Sequence, residues 1–226
     1  MDVIVQFLNG NGDATIISGS NHLQQRLGGV LHCPIIDVPF ALEAAPGTVI
    51  LALQAILVNL GANDRVYLRG HGNWTIRTLG GWSPARVARL LCANGLAIAR
   101  VISITGCNCG RGSNLGEPES MNGMAFQELK AVTQLHLQNS VNSFAGVFHL
   151  ALNTAPFLIT AIPVTARTSY VDVDNHGHKT VRVGPADTRK SGTGSAMRTK
   201  LRFRWNGAHQ EAKWDLDNND DWHQNT

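Results

Sequence analysis

Hydrophobic positions in this chain keep two different rhythms, and the change of rhythm divides it. Up to about residue 165, short apolar runs closed by glycine, asparagine or aspartate alternate with stretches of helical spacing. Val3–Leu8 reads as a strand that ends in a glycine-rich turn, and "VLHCPIIDV" as a second, although Pro34 weakens it. Arg65–Leu68 and "ARVISIT" are two more, each running into a glycine. Between them the apolar residues move to a helical period. Asn21–Leu27 forms a short helix, and Thr48–Leu60 a longer one with Thr48 as N-cap and Gly61 beyond its end. Ser83 and Pro84 open a third, with Val87, Leu90 and Leu91 as its stripe and Gly95 as its stop. Ser120–Leu152 is mostly helical.

Beyond "LITAIPVTA", which reads as another strand, the period is two. "SYVDVDNHGHKTVRV" predicts a hairpin turning at Asn175–Gly177. "TKLRFRW" predicts a strand with Leu201, Phe203 and Trp205 on one face and Lys200, Arg202 and Arg204 on the other. Strands alternating with helices, then hairpins, predict an α/β sandwich with a mostly parallel sheet and a C-terminal β-appendage.

Composition narrows this picture. With 226 residues, the chain suits one large domain better than two. No window of about 18 residues is cleanly apolar, so no membrane span is expected. Asp2 and the lack of a basic leading region argue against a signal peptide. Cys33 and Cys92 lie among apolar neighbours as core thiols, and four cysteines give no disulfide framework. The net charge of +3 is small, but Lys179 to Arg204 holds eight cations against Asp187 alone. Few aromatic residues interleave with them, which argues against nucleic acid as the partner.

The candidate chemistry sits at two matching strand ends, "VYLRGHG" and "ISITGCN". Ligands bind at the carboxyl ends of parallel strands, and one helix between the two strands makes a single crossover that leaves them neighbours. His71 and Cys107 would then share one crevice as general base and nucleophile, with the Gly72 and Cys107 N–H groups as an oxyanion site. A Gly-x-Ser-x-Gly type elbow over Gly106–Gly110 fails because Asn108, which cannot attack, holds the central position. Zinc on Cys107, Cys109 and His71 remains an alternative that needs a fourth ligand. The acidic tail lacks the glycine and glutamate of a calcium loop.

These segments resemble the caspase-like (clan CD) cysteine peptidases, above all the autoprocessing cysteine protease domain of RTX and clostridial glucosylating toxins. "VYLRGHG" is similar to that family's histidine strand, "LGGWSPARVARLL" to the helix start after it, and "ISITGCN" to its nucleophile strand. "TARTSYVDVDNHGHKT" followed by "TKLRFRWNG" is similar to its C-terminal flap. The resemblance implies a caspase-like sandwich over residues 1–207, with the flap at about 166–206 and an acidic, flexible tail at 208–226.

It also implies a cysteine endopeptidase with His71 as catalytic histidine and Cys107, not Cys109, as nucleophile. The family cleaves typically after leucine and is activated by inositol hexakisphosphate (phytate) of the eukaryotic host cytosol. The expected phytate ligands are Arg65, Lys179, Arg182, Arg198, Lys200 and Arg202, with no metal. Partners would be a peptide or protein substrate, including a parent toxin, and the protein would be a secreted bacterial toxin or effector. Asn108–Cys109 and His178 depart from the family pattern, and Asp37 is the one acid offered to back the histidine. A catalytically idle inositol-phosphate-binding module is the competing reading.

Overall fold

A computed structural model describes residues 1–10, 13–112, 135, 137–168, 171–182, 188–190, 200–214 and 223–225. Its strands in chain order are β1 (Val3–Leu8), β2 (Ile35–Pro39), β3 (Arg65–Arg69), β4 (Gly72–Asn73), β5 (Thr78–Leu79), β6 (Val101–Thr105) and β7 (Val164–Arg167). They continue as β8 (Val171–Val173), β9 (Lys179–Arg182), β10 (Thr188–Lys190), β11 (Lys200–Asn206), β12 (His209–Trp214) and β13 (His223–Asn225). The helices are α1 (Asp13–Arg26), α2 (Leu51–Leu57), α3 (Pro84–Ala93) and α4 (Phe144–Leu152).

The central sheet has the order β13-β12-β11-β7-β6-β3-β1-β2. Strands β2, β1, β3, β6 and β7 run parallel, and β11 to β13 add an antiparallel wing. β8, β9 and β10 form a separate antiparallel sheet, the flap, and β4 and β5 a two-residue ladder. This is the caspase-like α/β architecture expected from the sequence. Among the described residues no helix is long and apolar enough to cross a membrane.

The two faces of the sheet differ in kind. Period-two alternation sends Val3, Val5, Phe7, Val66, Leu68, Ile102, Ile104, Leu201 and Phe203 into the main core, where α2, α3 and α4 pack. The other face carries Ile4 and Tyr67, which join Leu23 of α1, Cys33 and Val173 of the flap in a small second cluster. Beside that cluster the same face is polar: Arg65, Arg69, Ser103, Thr105, Thr165, Arg167, Lys200 and Arg202.

Several expected boundaries move, each for a local reason. α1 begins at Asp13, well before Asn21, because Asp13 accepts the Asn9 and Gly10 N–H groups and Ile16, Gly19, Ser20 and Leu23 form its buried face. Thr48 is not the cap of α2. Its hydroxyl donates to Ala45, while Asn94 at the end of α3 accepts the Ile50 N–H at 2.7 Å and donates to the Thr48 carbonyl at 2.9 Å. Ser83 does hold the N-cap position of α3, without a side-chain bond. In "LITAIPVTA" only Val164 onward is strand, and the Pro163 carbonyl accepts the Ile102 N–H as the ladder starts.

The segment expected to begin a flexible tail instead enters the sheet. β12 pairs with β11 from Leu201↔Trp214 to Asn206↔His209, and its Gln210 and Ala212 are buried. Gln210 donates to the Gly146 carbonyl and to His149 Nδ1, both at 2.9 Å, tying β12 to α4. Residues 120–134 of the expected long helix lie outside the described residues.

Candidate active site and basic cavity

β3 and β6 are parallel neighbours in the register Arg69↔Thr105, so His71 and Cys107 each lie two residues past a matched pair. Strands so paired run about 4.8 Å apart. The loops beyond them touch: a Cβ at Gly72 would overlap the Cys107 carbonyl and come within 2.7 Å of its nitrogen. Only glycine lets the two tips approach this closely.

What fixes the histidine tip is the Leu79–Trp82 turn. Gly80 donates its N–H to the His71 carbonyl at 2.8 Å. Gly80 has φ +56° and a Cβ there would overlap the Phe7 carbonyl, so the turn lies flat on β1. Trp82, fully buried, meets Phe7 edge to face at 5.5 Å. The cysteine tip is held from two sides. Gly110 donates to the Arg167 carbonyl at 2.7 Å, and the Cys109 carbonyl accepts the Ala145 N–H of α4 at 2.9 Å. Asn108, buried, adopts φ +56° to make the bend.

The two thiols of this loop point to opposite sides. Cys109 belongs to the main core, its Sγ 2.9 Å from where a Cβ on Gly106 would stand, and burial raises its pKa far above that of a free thiol. Cys107 is half-buried on the flap side, where its Sγ donates to the Val171 carbonyl of β8 at 3.5 Å. A tetrahedral zinc site would need both thiols to converge. Among the described residues no three His, Cys, Asp or Glu groups are placed to hold a metal. Asp37 lies two strands from β3, where its Oδ1 accepts from Gln6 Nε2 at 2.6 Å.

Beneath the flap lies a cavity of about 740 Å³, floored by the polar face of the sheet and walled by α1. Four expected phosphate ligands line it: Arg65, Lys179, Lys200 and Arg202. The Arg182 side chain and Arg198 lie outside the described residues. His178, which departs from the family's basic flap pattern, lines it too, as do Arg26, Arg100 and Arg167, which sequence reasoning missed. Arg167 was legible from the "VTAR" alternation, which puts it on the same face as Thr165; Arg26 was not, since only the docking of α1 brings it there.

Lys179 reaches down to the sheet floor, donating to Ser103 Oγ at 2.9 Å and standing 4.7 Å over the Tyr67 ring. Burial first, and then Lys200, Arg69, Arg167 and Arg65, hold its pKa well below the usual lysine value. The flap turn rests on α1: Asp174 Oδ1 accepts the His176 and His178 N–H groups, and Gly177, at φ +72°, has no room for a Cβ against the His22 carbonyl.

A comparison with curated proteins returned no match. The sequence model of the peptidase C80 family matches residues 48–182, which takes in both strand tips and the flap hairpin and covers more than half of the chain. By its fold and by that match, the chain belongs to the peptidase C80 family, the cysteine peptidases of the autoprocessing domains of RTX and clostridial toxins.

Proposed function

We propose that this peptidase cuts peptide bonds through a His71–Cys107 dyad and that inositol hexakisphosphate, bound in the basic cavity, brings the dyad into its working state. Cys107 attacks the scissile carbonyl, His71 takes the thiol proton and passes it to the leaving amine, and water then hydrolyses the thioester. The N–H groups of Gly72 and Cys107 stabilise the oxyanion. One observation carries the coupling: Val171 lines the cavity and its carbonyl also accepts the Cys107 thiol. A ligand under the flap and a nucleophile at its edge therefore share one residue.

Arg65, Lys179, Lys200 and Arg202, with Arg26, Arg100 and Arg167, bring seven cationic side chains to the lining of one cavity. A dense polyanion neutralises them together and binds best where the flap closes over it, which shifts the population of flap states. Within this reading the protein acts in the eukaryotic host cytosol, on a parent toxin or on other proteins.

A thiol-directed alkylating probe tests the reading by mass spectrometry. Phytate should switch on Cys107 alkylation and raise the melting temperature, and added salt should weaken both effects. Alkylation of Cys107 at the same rate with and without phytate would sink the gating. Phytate binding with Cys107 inert throughout would favour the idle binding module.

A further inference from the structure

Three side chains in one row beneath the dyad are buried with unmet hydrogen-bonding capacity. Gln6 of β1 pairs in register with Arg69 of β3, and Arg69 with Thr105 of β6. All three belong to the flap-side face of the sheet, and their exposures are 3 %, 2 % and 3 %. Gln6 Oε1, an Arg69 terminal nitrogen (Nη1) and Thr105 Oγ1 each lack a hydrogen-bond partner among the described residues. A group left buried and unsatisfied loses its hydration with nothing in exchange. Three side by side, without partners among the described residues, call for a ligand or water to complete them.

The row is built in place. Arg69 Nε donates to Ser20 Oγ of α1 at 2.9 Å, and Nη2 stands 2.5 Å from where a Cβ on Gly19 would be. The small pair Gly19–Ser20 thus makes room for the guanidinium. Gln6 is fixed through Nε2 on Asp37, which leaves its oxygen as the open end. No described carboxylate forms an ion pair with Arg69, and burial lowers its pKa to about 10, with Asp172 and Cys107 opposing that shift.

Position gives the row its meaning. His71 and Cys107 lie two residues beyond Arg69 and Thr105 on the same strands, roughly 6–7 Å along at about 3.3 Å per residue. A substrate side chain just before the scissile bond would descend from the dyad over that distance. Thr105, the member of the row nearest Cys107, and Val171 both line the large cavity beneath the flap.

We infer that Arg69, Thr105 and Gln6 form the floor of the primary specificity pocket, and that it selects an acidic residue, aspartate or glutamate, immediately before the scissile bond. This inference rests on the peptidase reading above. The carboxylate accepts from Arg69 Nη1 and from the Thr105 hydroxyl, and Gln6 Oε1, next in the row, takes a remaining guanidinium N–H. Leucine at the same place leaves all three groups unsatisfied.

Peptidyl acyloxymethyl ketones that differ only in the residue next to the warhead test this on the phytate-loaded protein, with Cys107 alkylation as readout. Aspartate or glutamate should react faster than leucine or asparagine by about 100-fold. Arg69→Met and, as the milder and isosteric change, Thr105→Val should each move that ratio towards leucine, with circular dichroism confirming the fold. A preference for leucine, or asparagine equal to aspartate, overturns the acidic pocket while leaving the peptidase intact. If no peptidyl probe reacts although iodoacetamide alkylates Cys107, the peptidase reading falls, and the pocket with it.

Discussion

At the scale of single residues, neighbouring cysteines have been given opposite surroundings. Cys107 is half-exposed against a flap carbonyl, whereas Cys109 is a core side chain among apolar neighbours. A thiol buried as Cys109 is holds its proton and cannot attack. Cys107→Ala should therefore abolish peptide cleavage without lowering the melting temperature. Cys109→Ala should leave cleavage in place and cost about 1–2 kcal/mol in a denaturant titration. An inactive, fully stable Cys109→Ala protein would reverse the assignment.

The adjacency of the two strand tips that carry His71 and Cys107 was legible in the sequence because two apolar runs each ended in glycine and a reactive residue. The polar row was not, though Arg65, Tyr67 and Arg69 already alternate within one strand. In-register neighbours come from β1 and β6, and register between distant strands is a tertiary property.

Among the elements, those that departed most from expectation are the ones fixed by partners far away in sequence. The N-terminus of α2 is capped by Asn94 of α3, so no local signal at Thr48 could mark it. β12 carries His209, Gln210, Glu211 and Lys213, a polar pattern that reads as tail until β11 and α4 supply its partners.

The junction of α4 and β12 contains His149, fully buried, stacked on Trp205 at 5.5 Å with its Nδ1 accepting from Gln210. Burial lowers its pKa from 6.5 to about 3. The unfolded chain then binds a proton across that window and the folded one does not, so stability is complete above pH 6.5 and falls as the pH drops towards 3. The loss should be on the order of a few kcal/mol, and His149→Phe should flatten this part of a melting temperature against pH curve. An unchanged slope in that variant would place the acid sensitivity elsewhere.

For the molecule as a whole, the cavity carries charge that the protein alone holds at a cost. Lys179 is the clearest case, since burial and four cationic neighbours favour its neutral form. Below the ordinary lysine value of 10.5, the folded state binds fewer protons than the unfolded chain, so this group makes stability rise with pH through that window. A bound polyanion opposes that shift and favours the ammonium form. Phytate binding should therefore take up a proton, seen as a dependence of the calorimetric heat on buffer ionisation enthalpy. Lys179→Met should reduce that uptake. Equal heats in all buffers, in parent and variant alike, would show the ammonium to be charged before the ligand arrives.

The unequal faces of the sheet also set how the molecule comes apart. One face is sealed by an extensive apolar core, while α1 and the flap are fastened by Ile4, Leu23, Cys33, Tyr67 and Val173, with the partly buried Leu27 and Ile35 beside them. Local opening free energy follows the apolar area that opening exposes. The α1–flap layer is therefore a cooperative unit of its own, able to lift while the strands and the opposite helices stay intact. In native-state hydrogen exchange, amides of α1 and β8 should exchange through a sub-global opening, well before those of β3, β6 and α3. His71 and Cys107 follow strands of the sheet at the seam between those two units, so β3 and β6 keep their register each time the covering layer lifts.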